Sequence, residues 1–136
     1  MSRSISRKLA MQFLFQIEFQ LEIIDEQIAH FVDSVGESEM VDRTYFDSII
    51  KGVIDKKDEL DKLIEKNTNG WTIDRISKTD LAILRVAIYE MFYREDIPVG
   101  VAINEAVEIT KEFSPQESPS FVNGILGKLS RGMDNE

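Results

Sequence analysis

Between Asp80 and Phe92 the chain reads DLAILRVAIYEMF, without glycine or proline and with apolar residues on every side of a helix. Leu81, Ile83, Leu84, Val86, Ala87, Ile88, Met91 and Phe92 leave no broad polar face. A helix of this kind is stable in water only when other elements enclose it. The segment therefore predicts a central, largely buried helix around which the rest of the chain must pack. Ser77 and Asp80 predict its start as a capping box, with Asp where Glu or Gln is usual. Asp96-Ile97-Pro98 predicts its end, because proline cannot continue a helix.

The remaining chain offers helices to do the enclosing. No strand-like alternation runs far, and only three prolines and seven glycines interrupt it. Ile5, Leu9, Phe13, Ile17 and Leu21 recur every fourth residue beside Ala10 and Leu14, which predicts an amphipathic first helix. Met11, Phe15 and Phe19 fall off that stripe. Asp25 predicts the cap of a second helix carrying Ile28, Phe31, Val32 and Val35 and ending near Gly36, followed by the polar connector GESEMVD. Asp42 opens a third helical stretch with Tyr45, Phe46, Ile49, Val53, Leu60, Leu63 and Ile64, reaching about Asn67. Gly52 within it marks a bend or a close crossing, and two shorter helices also satisfy the pattern. Asn69-Gly70 supplies a left-handed stop.

WTIDRI reads as a short helical turn anchored by Trp71 and Ile76, Val101 to Phe113 as an amphipathic helix, and SPQE as a turn. The prediction is an all-α chain of about seven helices in two small packed bundles sharing the central helix. Nothing divides residues 1–136 into more than one domain.

The last helix contains a conflict. In SPSFVNGIL, residues 118–126, Asn123-Gly124 between apolar residues is a strong hairpin signal. Phe121, Val122, Ile125, Leu126 and Leu129 nevertheless keep helical spacing behind Ser118, a plausible N-cap, and Pro119 at the first helical position. Glycine in a helix costs about 1 kcal/mol against alanine, so something should offset it. The expectation is a packing notch, with a helix crossing closely at Gly124 and Asn123 reaching a neighbour such as Asn104.

Several function classes are disfavoured by what the chain lacks. With no cysteine there is no thiolate chemistry, and His30 alone leaves little for a histidine-based metal site or triad. HExxH, calcium-loop, GxGxxG and P-loop patterns are all missing. Pairs such as Glu105/Glu108 read as solvated helix surface. No enzyme, metal or cofactor is expected. Neither is a membrane span, since no apolar run approaches the roughly 18–20 residues one needs. The basic N-terminus has no cleavage-site pattern, which points to a cytoplasmic protein.

A net charge of −9 argues against nucleic-acid binding, but its distribution is uneven. Arg3, Arg7 and Lys8 carry all the side-chain charge before Glu18, giving a basic arm on an acidic body. Acidic faces suit basic proteins. Each phosphate neutralised on a single strand contributes a salt slope of about −0.7, so three cations alone predict weak, salt-sensitive binding. Stacking would have to supplement it. Phe121, in the first turn of its helix, is placed either for that or for packing on Ile125.

Several segments together resemble the NusB transcription antitermination factors. They are DLAILRVAIYEM at 80–91, IPVGVAINEAVEITKEFS at 97–114 and SPSFVNGIL at 118–126. RKLAMQFLFQ at 7–16, YFDSIIKGV at 45–53 and Trp71 fall in the expected order, so the resemblance covers essentially the whole chain. It implies a non-enzymatic, all-helical factor of two packed bundles. Such factors bind boxA RNA together with NusE, the ribosomal protein that doubles as a transcription factor. They then join other Nus factors on RNA polymerase and suppress termination, notably in ribosomal RNA transcription. The resemblance further implies that Arg3, Arg7 and Lys8 contact phosphates, and that Arg85 meets RNA through its planar fork. It places Ser120 and Phe121 at the RNA just before VNG, and Phe15 and Asp80 on the surface facing NusE.

Three departures predict weaker RNA affinity without the partner: a thinner basic start, Leu81 where Arg or Lys is common, and Ser120 where a basic residue often stands. Both self-associating and monomeric members exist, and an exposed Phe15 is compatible with a homodimer. Two rival readings are a helical adaptor that binds only protein and the NusB-like domain of ribosomal RNA cytosine methyltransferases.

Overall fold

In the computed structural model, which describes residues 2–17, 24–36 and 42–134, the described residues form seven α-helices and one 3-10 turn. They are α1 (Ser2–Ile17), α2 (Ile24–Val35), α3 (Arg43–Asp55), α4 (Lys57–Lys66), α5 (Lys78–Tyr93), α6 (Val99–Phe113) and α7 (Ser118–Asp134), with the turn at Ile73–Arg75. Helix α5 is the axis. It packs against α1, α3 and α4 on one side and α6 and α7 on the other, so two groups of helices share it. Every residue from Asp80 to Ile88 is buried, as are Glu90 and Met91. The enclosure stops there, and Phe92 and Tyr93 are exposed.

Local signals account for most helix ends. The Asp42 side chain accepts from the Tyr45 amide at 3.0 Å and starts α3. Ser77 accepts from the Asp80 amide at 3.1 Å and starts α5. Gly36 (φ 87°) closes α2, and Asn69 (φ 57°) with Gly70 (φ 94°) turns the chain after α4. Asp25 lies inside the first turn of α2 and is not its cap, but it still sits where a carboxylate complements the helix dipole. Phe19, Leu21 and residues 37–41 of the polar connector lie outside the described residues.

The third helical stretch is two helices joined at Lys56. Helix α3 buries Tyr45, Phe46, Ile49, Ile50 and Val53 against α1 and α5, while α4 turns to lay Leu60 and Ile64 on α5. Gly52 marks a close crossing: a Cβ there would lie 2.1 Å from Cζ of Tyr89 on α5. Tyr89 stacks on Tyr93 at 5.3 Å, so its ring resists displacement. Gly52→Ala is therefore expected to destabilise by about 1–3 kcal/mol through overpacking. In a Tyr89→Ala background the same change should stabilise by up to about 1 kcal/mol, because only the helix-propensity gain remains. Urea unfolding of the four proteins tests this, and an equal effect of the substitution in both backgrounds would refute the crossing's role.

Helix α1 is rotated from the stripe its sequence predicts. It buries Ser6, Arg7, Ala10, Met11, Phe13 and Leu14, and leaves Ile5 and Phe15 exposed. Phe13 meets Phe31 and Phe46 edge-on at 5.3 and 5.9 Å, and those two rings stack, tying α1 to α2 and α3. The rotation brings a charged residue inward. Arg7, 3% exposed, meets Glu90, which is fully buried on α5.

Candidate nucleic-acid and partner interface

The basic arm is helix, and its cations are paired. Arg3 lies 3.2 Å from Asp96 and 3.6 Å from Asp42, and Lys8 lies 2.7 Å from Glu112. Both cations are well exposed. Hydrogen bonds from Arg94 hold the Asp96 carboxyl down at about 2, and Arg94 takes both of its oxygens at 2.9 Å. Arg3 is thus the looser partner of an already neutralised carboxylate. Surface pairs of this sort contribute little and exchange readily for other anions.

Arg7 departs from the expectation of a phosphate-facing cation. Its guanidinium donates to both oxygens of Glu90 from Nε at 2.8 and 3.1 Å and from Nη2 at 2.8 Å, and to Glu105 from Nη1 at 2.7 Å. The Tyr45 hydroxyl donates to the same Glu90 carboxylate at 2.7 Å. Burial alone would lower the Arg7 pKa, but the hydrogen bonds and charge of Glu90 outweigh it and the pKa lies above its ordinary value. Burial, then Glu90, pushes the Tyr45 hydroxyl up as well. Arg85 is likewise turned inward. It is 7% exposed and bonds Asp61 of α4 from Nε at 2.7 Å and Nη2 at 3.0 Å, a fork-to-fork tie between α4 and α5.

Asp80, expected on a partner-facing surface, is 6% exposed. Its carboxylate accepts from Ser114 Oγ at 2.9 Å and Ser118 Oγ at 2.8 Å. That bridge holds the turn between α6 and α7 to the start of α5. Ser118 is therefore the first residue of α7 and a donor to Asp80, not an N-cap. Phe15, by contrast, is 43% exposed near the far end of α1. His30 is exposed on α2, and no cluster of metal-ligating side chains forms among the described residues.

With the α6–α7 turn fixed by Asp80, the first turn of α7 projects Ser120 outward and leaves Phe121 half-buried. Two open grooves flank them. One, between α6 and α7, is lined by Gly100, Ile103, Asn104, Val107, Pro119, Ser120 and Asn123. The other, of about 470 Å³, runs between α7 and the segment after α4, where Asn67, Asn69 and Trp71 face Phe121, Gly124, Lys128 and Arg131. Trp71 does not anchor its turn in the core. It is 47% exposed, and its ring lies 5.6 Å from that of Phe121 at a tilt of 37°.

The packing notch is also absent. A Cβ on Gly124 would meet nothing within 4 Å, Gly124 and Asn123 are both exposed, and the glycine faces the groove. Sequence reasoning missed Trp71, Lys128 and Arg131 as surface groups. A signal existed: Phe121, Gly124, Lys128 and Arg131 are spaced three, four and three residues apart, which is one helix face.

The NusB family model matches residues 4–131 of this chain. The transcription antitermination protein NusB of Acetivibrio thermocellus is 50% identical over 129 residues, covering 95% of this chain and 88% of that protein. Its counterpart in Bacillus subtilis is 40% identical over 134 residues, covering 98% of each. Among solved structures, T. maritima NusB superposes with a TM-score of 0.79 at 31% identity, covering 95% of this chain and 90% of that one. A chain from the complex of antitermination factors NusB and NusE with dsRNA shares the fold, with a TM-score of 0.81 at 20% identity over 96% of this chain and 97% of that one.

Proposed function

This chain belongs to the NusB family, a family of transcription antitermination factors and not of enzymes, and from that premise we propose that it binds boxA-type RNA jointly with NusE. The bound complex joins other Nus factors on RNA polymerase and suppresses termination during ribosomal RNA transcription in the cytoplasm. The observation that carries the RNA-binding part is the first turn of α7, where Ser120 and a half-buried Phe121 line a groove whose charged lining, among the described residues, is Lys128 and Arg131. On a chain of net charge −9, such a surface suits a partner of opposite sign. Ser120 and Phe121 contact the RNA, and Arg3 and Lys8 exchange their surface carboxylates for phosphates. Arg7 and Arg85 support the fold beneath that surface. The acidic body suits a basic ribosomal protein, and Phe15, exposed near the end of α1, meets the same partner. A homodimer through Phe15 would compete with that partner.

The test is fluorescence anisotropy of a labelled boxA-type RNA titrated with the protein, with and without NusE, against a scrambled RNA at two salt concentrations. Selective binding that tightens with NusE is expected. The double substitution of Arg3 and Lys8 by alanine should leave the melting temperature nearly unchanged and flatten the salt slope by about 1.4, from two phosphate contacts at about 0.7 each. Indifference to RNA sequence with NusE present would instead favour an adaptor that binds only protein.

A further inference from the structure

Gly124 lies in the middle of α7, exposed, with open space where a side chain would be. Glycine there weakens the helix and the fold receives no packing in return. The same spot lines the groove between α7 and the post-α4 segment, where Trp71 faces Phe121, Lys128 and Arg131 of α7. Among the described residues every charged side chain lining that groove is positive, although acidic residues outnumber basic ones in the chain by 25 to 16. Among the described residues Lys128 Nζ reaches an amide oxygen, that of Asn69 at 3.4 Å, and no carboxylate.

We propose that this groove is a second RNA subsite, in which an unpaired base stacks on Trp71 while Lys128 and Arg131 hold the adjoining phosphates and Gly124 leaves room for the ribose-phosphate backbone. The assignment rests on the RNA-binding reading above and extends it past Phe121. Stacking is the chemistry the groove supplies best. The indole leans on Phe121, which fixes its orientation in advance, and nearly half of it remains open. Aromatic platforms accept any base, so this subsite adds affinity and direction to the strand without reading sequence. Two cations along one helix face suit a polyanion crossing it, whereas a protein partner would require them to be matched by carboxylates at fixed positions.

Trp71 is the only tryptophan in the chain, so its fluorescence reports on the subsite without a label. Titrating the full chain and NusE with unlabelled boxA-type RNA should quench that emission along the same isotherm that anisotropy gives. Trp71→Ala should weaken binding about ten-fold and Trp71→Phe much less, since a smaller ring still stacks. Alanine at both Lys128 and Arg131 should reduce the salt slope by about 1.4. Gly124→Leu should raise the melting temperature through helix propensity yet weaken RNA binding by filling the groove; a purely structural glycine would show only the first effect. Normal RNA binding with unchanged Trp71 emission, and with none of these variants affected, would overturn the subsite and leave the family function standing. Quenching by NusE alone, with Trp71→Ala weakening NusE and not RNA, would overturn it in favour of a protein contact. Absence of RNA binding under all conditions would overturn both readings together.

Discussion

Truncating Glu90 to alanine is expected to lower the unfolding free energy by about 3–5 kcal/mol, the effect of leaving a buried charge without its partner. Glu90 is fully buried and accepts hydrogen bonds from Nε and Nη2 of Arg7 and from the Tyr45 hydroxyl. Without it, the Arg7 guanidinium stays enclosed with only Glu105 to answer it, and Tyr45 loses its hydroxyl's acceptor. Domains of this size hold roughly 5–15 kcal/mol in total, so the loss should remove about a fifth or more of the stability. The melting temperature should fall by roughly 10–17 °C.

The reverse truncation, Arg7→Met, should cost a similar amount by stranding the carboxylate. Removing both charges together, as Arg7→Met with Glu90→Leu, should cost less than either change alone, because no fully buried charge is left unpaired and Glu105, partly exposed, keeps the Ser4 hydroxyl and solvent. Thermal and urea unfolding followed by far-ultraviolet circular dichroism measure all three, and additive losses would contradict the coupling. The double variant also decides the role of Arg7. If it folds and binds RNA normally, Arg7 is a core residue; if it folds and loses RNA affinity, Arg7 meets the RNA after all.

Asp80→Ala should be the next most damaging change, at about 2–3 kcal/mol. A buried carboxylate accepting from two hydroxyls carries hydrogen bonds of about 1.5–3 kcal/mol each, partly recovered by relaxation. Its removal strands the Ser118 hydroxyl, 3% exposed, and frees the α6–α7 turn from the start of α5. Ser120 and Phe121 lie two and three residues beyond Ser118, so RNA affinity should fall with the loss of this anchor although Asp80 touches no RNA. Asp80→Asn, which retains one acceptor, should fall between wild type and alanine in both stability and RNA affinity. Its NusE affinity, measured by calorimetry, should track stability. An Asp80→Asn protein that folds and binds RNA normally but has lost NusE would show that the carboxylate is a direct partner contact.

These two residues mark where the sequence could be read and where it could not. The helices were legible because their signals are local. Asp42 and Ser77 cap within three residues, Asn69-Gly70 turns within two, and the apolar face of residues 81–91 repeats within each turn. The central place of α5 followed from the same run, since a helix apolar on all sides has only one environment available. The resemblance to the NusB family was legible too, because it lies in contiguous strings.

What each charged residue does depended on partners far along the chain. Arg7 looked like part of a free basic arm until Glu90, 83 residues away, was beside it. Asp80 looked like a cap until Ser114 and Ser118, 34 and 38 residues on, took its oxygens. Gly124 looked like a packing notch, and only its open surroundings showed that it lines a groove instead. Periodicity reports which face of a helix is apolar, because that is a property of neighbours in sequence. Whether a cation faces water or a buried carboxylate is a property of neighbours in space, and the packing of α1, α4 and α7 around α5 decided it.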